Sequence, residues 1–475
     1  MPVTVPTSEE FNALSGRVES AESEVTTIKT RLTGVEDELA EVKSAVEDLE
    51  NAPAPTPTPT PDPTPAPPVT VVAEYPGLVF QTNNTEAALR AAVQEVLRTR
   101  TNGVARKVIR AAPGTTVITN PDLLGSPTNG QSDPIFGFEI EGLGERVTTL
   151  AFNPTGGAST DPRKLNMFTL ANRARDFKLR NLKVTTNNPN ASMLWAWSVT
   201  KTDSNSIYPE YGSGQNQRFI FTNVEWGGHW KRVIGIDGDV NTNNNSEWSF
   251  DHCNTDTTAR FGEAFLQSGG ISGTFAQQTQ YLNFFARNCN FTYNGGSFFR
   301  FIRGGNLHIW GGSWSAASNA NALIWLDIQG AGSDSASNIS VTGTRFEPKA
   351  TNQKIIRHAV GSGIVTFKNV IDSSSLQYPA GSAQSQFKLH EYIGKNGRLP
   401  VVTYENCNLV GSHIYSGKNN GAQGKTIYRA SKFYQWTNNN AVASAAGATD
   451  GFVQWTGGKP SLRIEDCEGQ PDFNG

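Results

Sequence analysis

Two carboxylate groups and a set of aromatic rings are the residues of this 475-residue chain whose types and spacing could do chemistry. Glu210 lies in a long polar segment, residues 201–217, together with Asp203, Tyr208 and Tyr211. A second polar segment, 238–246, opens on Asp237-Gly238-Asp239 and is dense in amides, among them Asn241 and Asn243. Cleavage of a glycosidic bond needs two carboxyl groups about 5–9.5 Å apart, one to protonate the leaving oxygen and one to attack or activate water. Glu210 with Asp237 or Asp239 is the pair that would serve. The rival reading makes Asp237-Gly238-Asp239 turn chemistry and leaves Glu210 solvated. Tyr208 and Tyr211 could stack on the apolar face of a sugar while Asn241 and Asn243 bond its hydroxyls. Trp195 and Trp197 alternate and so share one face of a strand, where they fit core packing or a contact within the trimer better than sugar stacking. Trp226 and Trp314 recur at one offset, which suits a structural role.

What must position these groups is a repeat. An apolar strand is followed by Asn or another turn-forming residue, then a buried-type residue, a polar residue and often an aromatic. The pattern occurs at Arg180-Asn181-Leu182, Asn223-Val224-Glu225-Trp226, His252-Cys253, Asn288-Cys289-Asn290-Phe291, Gly311-Gly312-Ser313-Trp314, Gly343-Thr344-Arg345-Phe346, Asn369-Val370, Asn406-Cys407-Asn408-Leu409, Ala430-Ser431-Lys432-Phe433 and Asp466-Cys467. From Leu182 to Cys467 there are nine intervals over 285 residues, each between 23 and 42. Constant strand chemistry with an irregular period predicts a parallel β-helix, in which rungs stack and loops vary. Asn suits the slot because it tolerates the left-handed conformation and its amides can bond from rung to rung. A β-sandwich or propeller would need hairpin turns every 8–12 residues or an even period near 40.

The expected fold is therefore mainly β: one single-stranded parallel solenoid over residues 69–475. A helix over 83–98 caps its N-terminal end, with Asn83 as cap, Glu86 three residues on, and Leu89, Val93, Val96 and Leu97 on one face. Return strands are expected near 193–200, 232–237, 264–268, 297–303 and 322–329. The polar segments 201–217, 238–246 and 269–280 would then leave the solenoid at one register and line one edge. All four cysteines, Cys253, Cys289, Cys407 and Cys467, occupy the same slot, which predicts inward-facing, reduced thiols rather than disulfides or a zinc site. Histidines are scattered, no acidic run suits calcium, and no metal or cofactor is expected. Lys201 is the one basic residue placed for a lyase.

The N-terminal 51 residues follow different physics. Phe11, Val18, Val25, Leu32, Leu39 and Val46 alternate with Leu14, Ala21, Ile28, Val35, Val42 and Leu49 in steps of 3 and 4, a heptad seam over six repeats. Arg17/Glu22, Glu24/Lys29, Arg31/Glu36 and Glu38/Lys43 have the spacing that pairs parallel chains in register. Leu32 and Leu39 at one seam position with Val35 and Val42 at the other favour three strands, so a parallel homotrimer is expected. Residues 52–68 alternate Pro with Thr or Ala and predict a polyproline stalk of roughly 50 Å. A net charge of −3 with 17% charged residues offers no basic footprint for nucleic acid. No apolar run is long enough for membrane insertion, and the first residues do not read as a signal peptide.

The helix, the short strand with Ala112-Pro113-Gly114-Thr115, then Ile140-Glu141-Gly142-Leu143-Gly144 and Thr148-Thr149-Leu150, resemble the opening of pectate-lyase-like right-handed β-helices in bacteriophage tail spikes. The start Pro6-Thr7-Ser8-Glu9-Glu10-Phe11-Asn12-Ala13-Leu14 is similar to coiled-coil starts of minor tail proteins from phages of actinobacteria. The resemblance implies a right-handed solenoid, a place in the tail of the virion, other tail proteins as partners, and a host surface polysaccharide that is bound or depolymerised. It brings no catalytic signature with it. Only eight residues follow Cys467, so the N-terminal helix is expected to carry trimerisation.

Overall fold

The computed structural model describes residue 29 and, with short interruptions, residues 77–469. The chain divides into two compact units, 1–72 and 73–475. In the first, Lys29 is helical; the heptad seam and the proline stalk lie outside the described residues.

The second unit is a parallel β-helix, and every pairing between its strands is parallel. Each rung contributes a strand to a first sheet, bends at one residue, and adds a short strand. It then crosses to a second sheet. In the first sheet Asn245–Asp251, Asn283–Arg287, Gly305–Trp310, Ser337–Thr342, Ile364–Lys368, Val401–Glu405, Lys425–Arg429 and Ser461–Glu465 pair in succession. In the second sheet the succession runs Ser192–Ser198, the end of Asn216–Gly238, Arg260–Ser268, Gly296–Phe301, Leu323–Gln329, Gln353–Ala359, His390–Gly397, His413–Lys418 and Val453–Gly457. These match the expected return strands within a few residues.

The bend is where the sequence repeat acts. Asn181, Asn223, His252, Asn288, Gly311, Gly343, Asn369, Asn406, Ala430 and Asp466 all have φ between 46° and 68°. Left-handed backbone costs most residues roughly 1–2 kcal/mol, less for Asn and nothing for Gly. Strand registers place the following residues, from Leu182 through Val224, Cys253, Cys289, Gly312, Thr344, Val370, Cys407 and Ser431 to Cys467, in a single column. Where two Asn are consecutive their amides bond: Asn223 Nδ2 donates to Asn181 Oδ1 at 3.0 Å and Asn406 Nδ2 to Asn369 Oδ1 at 2.7 Å. Gly312 is required by contact as well, since a Cβ there would meet the Cys289 carbonyl oxygen at 2.0 Å.

The column explains the thiols. Cys253, Cys289 and Cys407 are buried and free, and each Sγ donates to a carbonyl of the rung below and to the carbonyl two residues back, at 3.3–3.5 Å. Burial pushes the Cys407 thiol up to about 12, so no reactive thiolate forms. Cys467 departs from the expectation by being half-buried. Its strands pair only with the rung below, and no further rung covers it among the described residues.

The helix is Glu86–Thr99 and buries Leu89, Ala92, Val93 and Val96 against the end of the core. Its cap is Thr85, whose hydroxyl accepts from Ala88 N at 3.2 Å, and not Asn83. Asn83 instead holds Thr85, accepting from its backbone N at 3.1 Å. Glu86 does not close a capping box. It accepts from Thr119 N at 2.9 Å, Asn120 N at 3.2 Å and Arg90 Nε at 2.8 Å, tying the helix to the chain just beyond strand Gly114–Ile118. Burial alone would raise its carboxyl, and these hydrogen bonds win, lowering it to about 2.

Inside the solenoid the core changes character along its length. Stacked Phe219 and Trp248 (3.8 Å between centroids), and Phe221 and Phe250 (5.1 Å), fill the middle rungs. The last rungs bury a polar aromatic network: Tyr392 Oη to Tyr404 Oη at 2.6 Å, Tyr404 Oη to His390 Nδ1 at 3.0 Å, and His413 Nδ1 to Tyr428 Oη at 2.8 Å. Asp372 Oδ2 lies 3.2 Å from His390 Nε2.

Two predictions follow from column and core. Asn406→Ala should cost about 1–2 kcal/mol, from left-handed strain plus the lost amide bond, with Asn406→Gly costing less; denaturant unfolding measures both. The second concerns pH. Burial lowers His358 from 6.5 to about 4, so the folded state refuses a proton that the unfolded chain accepts. The resulting stability is complete above pH 6.5 and drains as pH falls toward 4, by about 3 kcal/mol for this residue. His413, lowered by burial and by His390, acts in the same direction. Melting temperature should therefore drop from pH 7.5 to 4.5, and His358→Gln should flatten that slope.

Candidate functional site

Of the residues singled out for chemistry, Glu210, Tyr208, Tyr211, Asp239, Asn241 and Asn243 lie outside the described residues. Their anchorage is described. Segment 199–215 leaves from Ser198, and 239–244 leaves from Gly238, which pairs directly with Ser198. The two segments return at Asn216 and Asn245, which also pair directly. Segment 271–282 follows the next rung of the second sheet, whose Ser268 pairs with Ile236. Three consecutive insertions thus leave one edge of the second sheet and rejoin the first.

Asp237 is described, and it is not a turn residue. It sits inside a strand opposite Trp197 and is fully buried. Alternation points Leu194, Ala196, Ile234 and Ile236 into the core, so Trp195, Trp197 and Asp237 stand on the outer side of the second sheet. The two indoles are nonetheless buried, with ring centroids 4.8 Å apart. Neither presents a free ring face for a sugar, because packing has already used the apolar area that stacking would need; the packing reading describes them. Arg232 precedes Asp237 by five residues on the same strand. Burial lowers its guanidinium, and the charges of Glu263 and Asp237 draw it back up. Arg232 Nη2 reaches Glu263 Oε2 at 3.1 Å.

Two rungs on, the same outer face carries a cluster that sequence reasoning missed. Asp327, with no exposed surface, takes Arg357 Nε at 2.9 Å and Nη2 at 3.0 Å in a two-pronged contact, Arg300 Nε at 3.2 Å, Ser297 Oγ at 3.1 Å and Gln329 Nε2 at 3.0 Å. The register sets this up, since Arg300, Asp327 and Arg357 are direct partners on three successive strands. Gly235 and Gln267 continue the same row toward Trp195. Their spacing of 27 and 30 residues was the available signal, one rung each. With both oxygens engaged by five donors, Asp327 is a holder of guanidinium groups.

A groove of about 490 Å³ runs along the left-handed column at its C-terminal end. Asn369, Asn406, Asn408, Lys432, Asp466 and Glu468 line it, alternating amides and charges suited to hydroxyl groups. Among the described residues no group of three His, Cys, Asp or Glu side chains could hold a metal ion.

No family model matches this chain, and no curated protein is similar to it. Among solved structures, the catalytic domain of a GH87 alpha-1,3-glucanase in complex with nigerose is similar over 87% of this chain and 71% of that chain, at 13% identity and a TM-score of 0.31. At that level the likeness bears on no residue's role.

The clamp generates a direct test. Asp327→Ala removes the carboxylate that two partly exposed guanidinium groups share. Unfolding should show a loss of about 3 kcal/mol, the low end for a broken buried pair because solvent screens both arginines. Asp327→Asn should recover part of that.

Proposed function

We propose that this chain is the spike or fibre of a bacteriophage tail, a homotrimer that recognises a host surface glycan. The observation that carries the proposal is the parallel β-helix with three consecutive insertions rooted on one edge of its second sheet. Such an arrangement sets variable loops beside a rigid, elongated wall, the geometry that suits an extended polysaccharide. The heptad seam from Phe11 to Leu49 would join three chains, and the Pro/Thr segment would hold the solenoids away from the particle. The coil is taken as right-handed, the hand of almost all parallel crossovers. Virion location, other tail proteins as partners and the absence of nucleic-acid or membrane insertion belong to the same reading. Among the described residues no helix is long and apolar enough to cross a membrane.

The alternative is a depolymerase on the same scaffold, using Glu210 with Asp237 or Asp239. Recognition is favoured by the setting of two described carboxylates: Asp237 is fully buried, and both oxygens of Asp327 are engaged by donors, so neither faces a substrate.

Incubation with capsular or wall polysaccharide separates the two. Binding without new reducing ends or unsaturated-uronate absorbance is expected. Product formation that disappears in Glu210→Gln or Asp237→Asn would make it an enzyme. Light scattering should give three times the 51.4 kDa chain mass. Deleting residues 1–51 should give one; a deletion that stays trimeric removes the helix from that role.

A further inference from the structure

A group of rings stands on the outer face of the first sheet. In strand Asn283–Arg287, Phe284 and Ala286 enter the core, which turns Phe285 and Arg287 outward; in Gly305–Trp310, Leu307 and Ile309 do so, which turns out His308 and Trp310. Phe285 pairs with His308, and Arg287 with Trp310, across the ladder. The three ring planes are almost parallel: Phe285 to His308 is 5.5 Å and 15°, Phe285 to Trp310 is 6.0 Å and 4°, and His308 to Trp310 is 5.6 Å and 11°. Trp310 is 37% exposed, while the seven tryptophans among the largest buried side chains are hidden. Burial keeps His308 below its ordinary value, so at neutral pH its ring is uncharged.

The rim is polar. The Arg287 guanidinium lies over the Phe285 ring at 5.5 Å and over the Trp310 ring at 5.3 Å, a cation–π contact with both, and among the described residues it makes no ion pair. Asp251 is its partner across the ladder on the other side, and its carboxylate is bonded to His252 Nδ1 at 3.0 Å and part-exposed. Ser249 and Ser340 flank Phe285 and His308 along the same row, and Asn306 donates to Asn283 at 3.2 Å just beyond.

We propose that Phe285, His308 and Trp310, with Asp251 and Arg287, form a second glycan-binding site on the first sheet. Parallel rings accept the C–H face of a pyranose, and a carboxylate beside a guanidinium offers adjacent hydroxyls both an acceptor and donors. Because the two charges cancel, the site suits an uncharged sugar. The inference shares with the proposed function the idea of a glycan ligand, but it names a different face.

The test uses the full chain on an array of neutral and acidic oligosaccharides, with Trp310→Ala, Trp310→Phe, Asp251→Asn and Arg287→Ala alongside. Trp310→Ala should weaken retention of at least one neutral glycan tenfold or more. Trp310→Phe should keep most of it, and the two polar variants should lose severalfold. Circular dichroism confirms that each variant is folded. Retention unchanged in Trp310→Ala overturns the site; if Tyr208→Ala or Tyr211→Ala then abolishes binding, the proposed function stands without it. An array that retains nothing from the wild type sinks both. Dissociation of the oligomer by Trp310→Ala would reassign the face to contact between copies.

Discussion

One left-handed residue per rung is the constraint on which the rest of the second unit depends. A β-strand continues straight unless its backbone is forced out of the extended region, and a single residue at φ near 50° is enough to force it. Because that residue recurs at the same register, every rung bends at the same place, and everything after the bend is stacked automatically. Asn fills five of the ten positions because its strain is small and its amide can bond to the next. Gly fills two, and the others are occupied by His, Ala and Asp, so the geometry outranks the residue type.

Stacking then decides what a side chain can do. A residue on a given column has neighbours one rung above and one below, chosen by register and not by sequence distance. On the inside this makes ladders: the thiol column with its carbonyl acceptors, the phenyl stacks, and the Tyr/His network of the last rungs. On the outside it makes the Arg300–Asp327–Arg357 clamp, where three side chains 27 and 30 residues apart become neighbours. The same rule sets Phe285 beside His308 and Arg287 beside Trp310.

The variable segments sit outside this regularity. The rungs tolerate insertions of very different length because closing a longer loop costs little more entropy than closing a short one. Where insertions share exit and return positions, the scaffold can present changing chemistry along one edge while the ladders stay intact.

The amino-acid sequence by itself determined the repeat, the parallel solenoid, the column of buried cysteines and the return strands. Each of these rests on short-range rules: period-two alternation, a turn residue at constant offset, and small residues in the slot. The helix was legible too, though its cap lay two residues from the expected one, because Thr85 and Asn83 are chemically equivalent candidates. Only the tertiary structure decided the fate of Trp195, Trp197 and Asp237, which period-two alternation places on an outer face but packing buries. It also decided the Asp327 clamp and the exposed rings around Trp310, since an outward residue is ordinary in sequence until register gives it a neighbour. Alternation tells which side of a sheet a residue occupies; what stands beside it, and whether water reaches it, is settled only when the rungs stack.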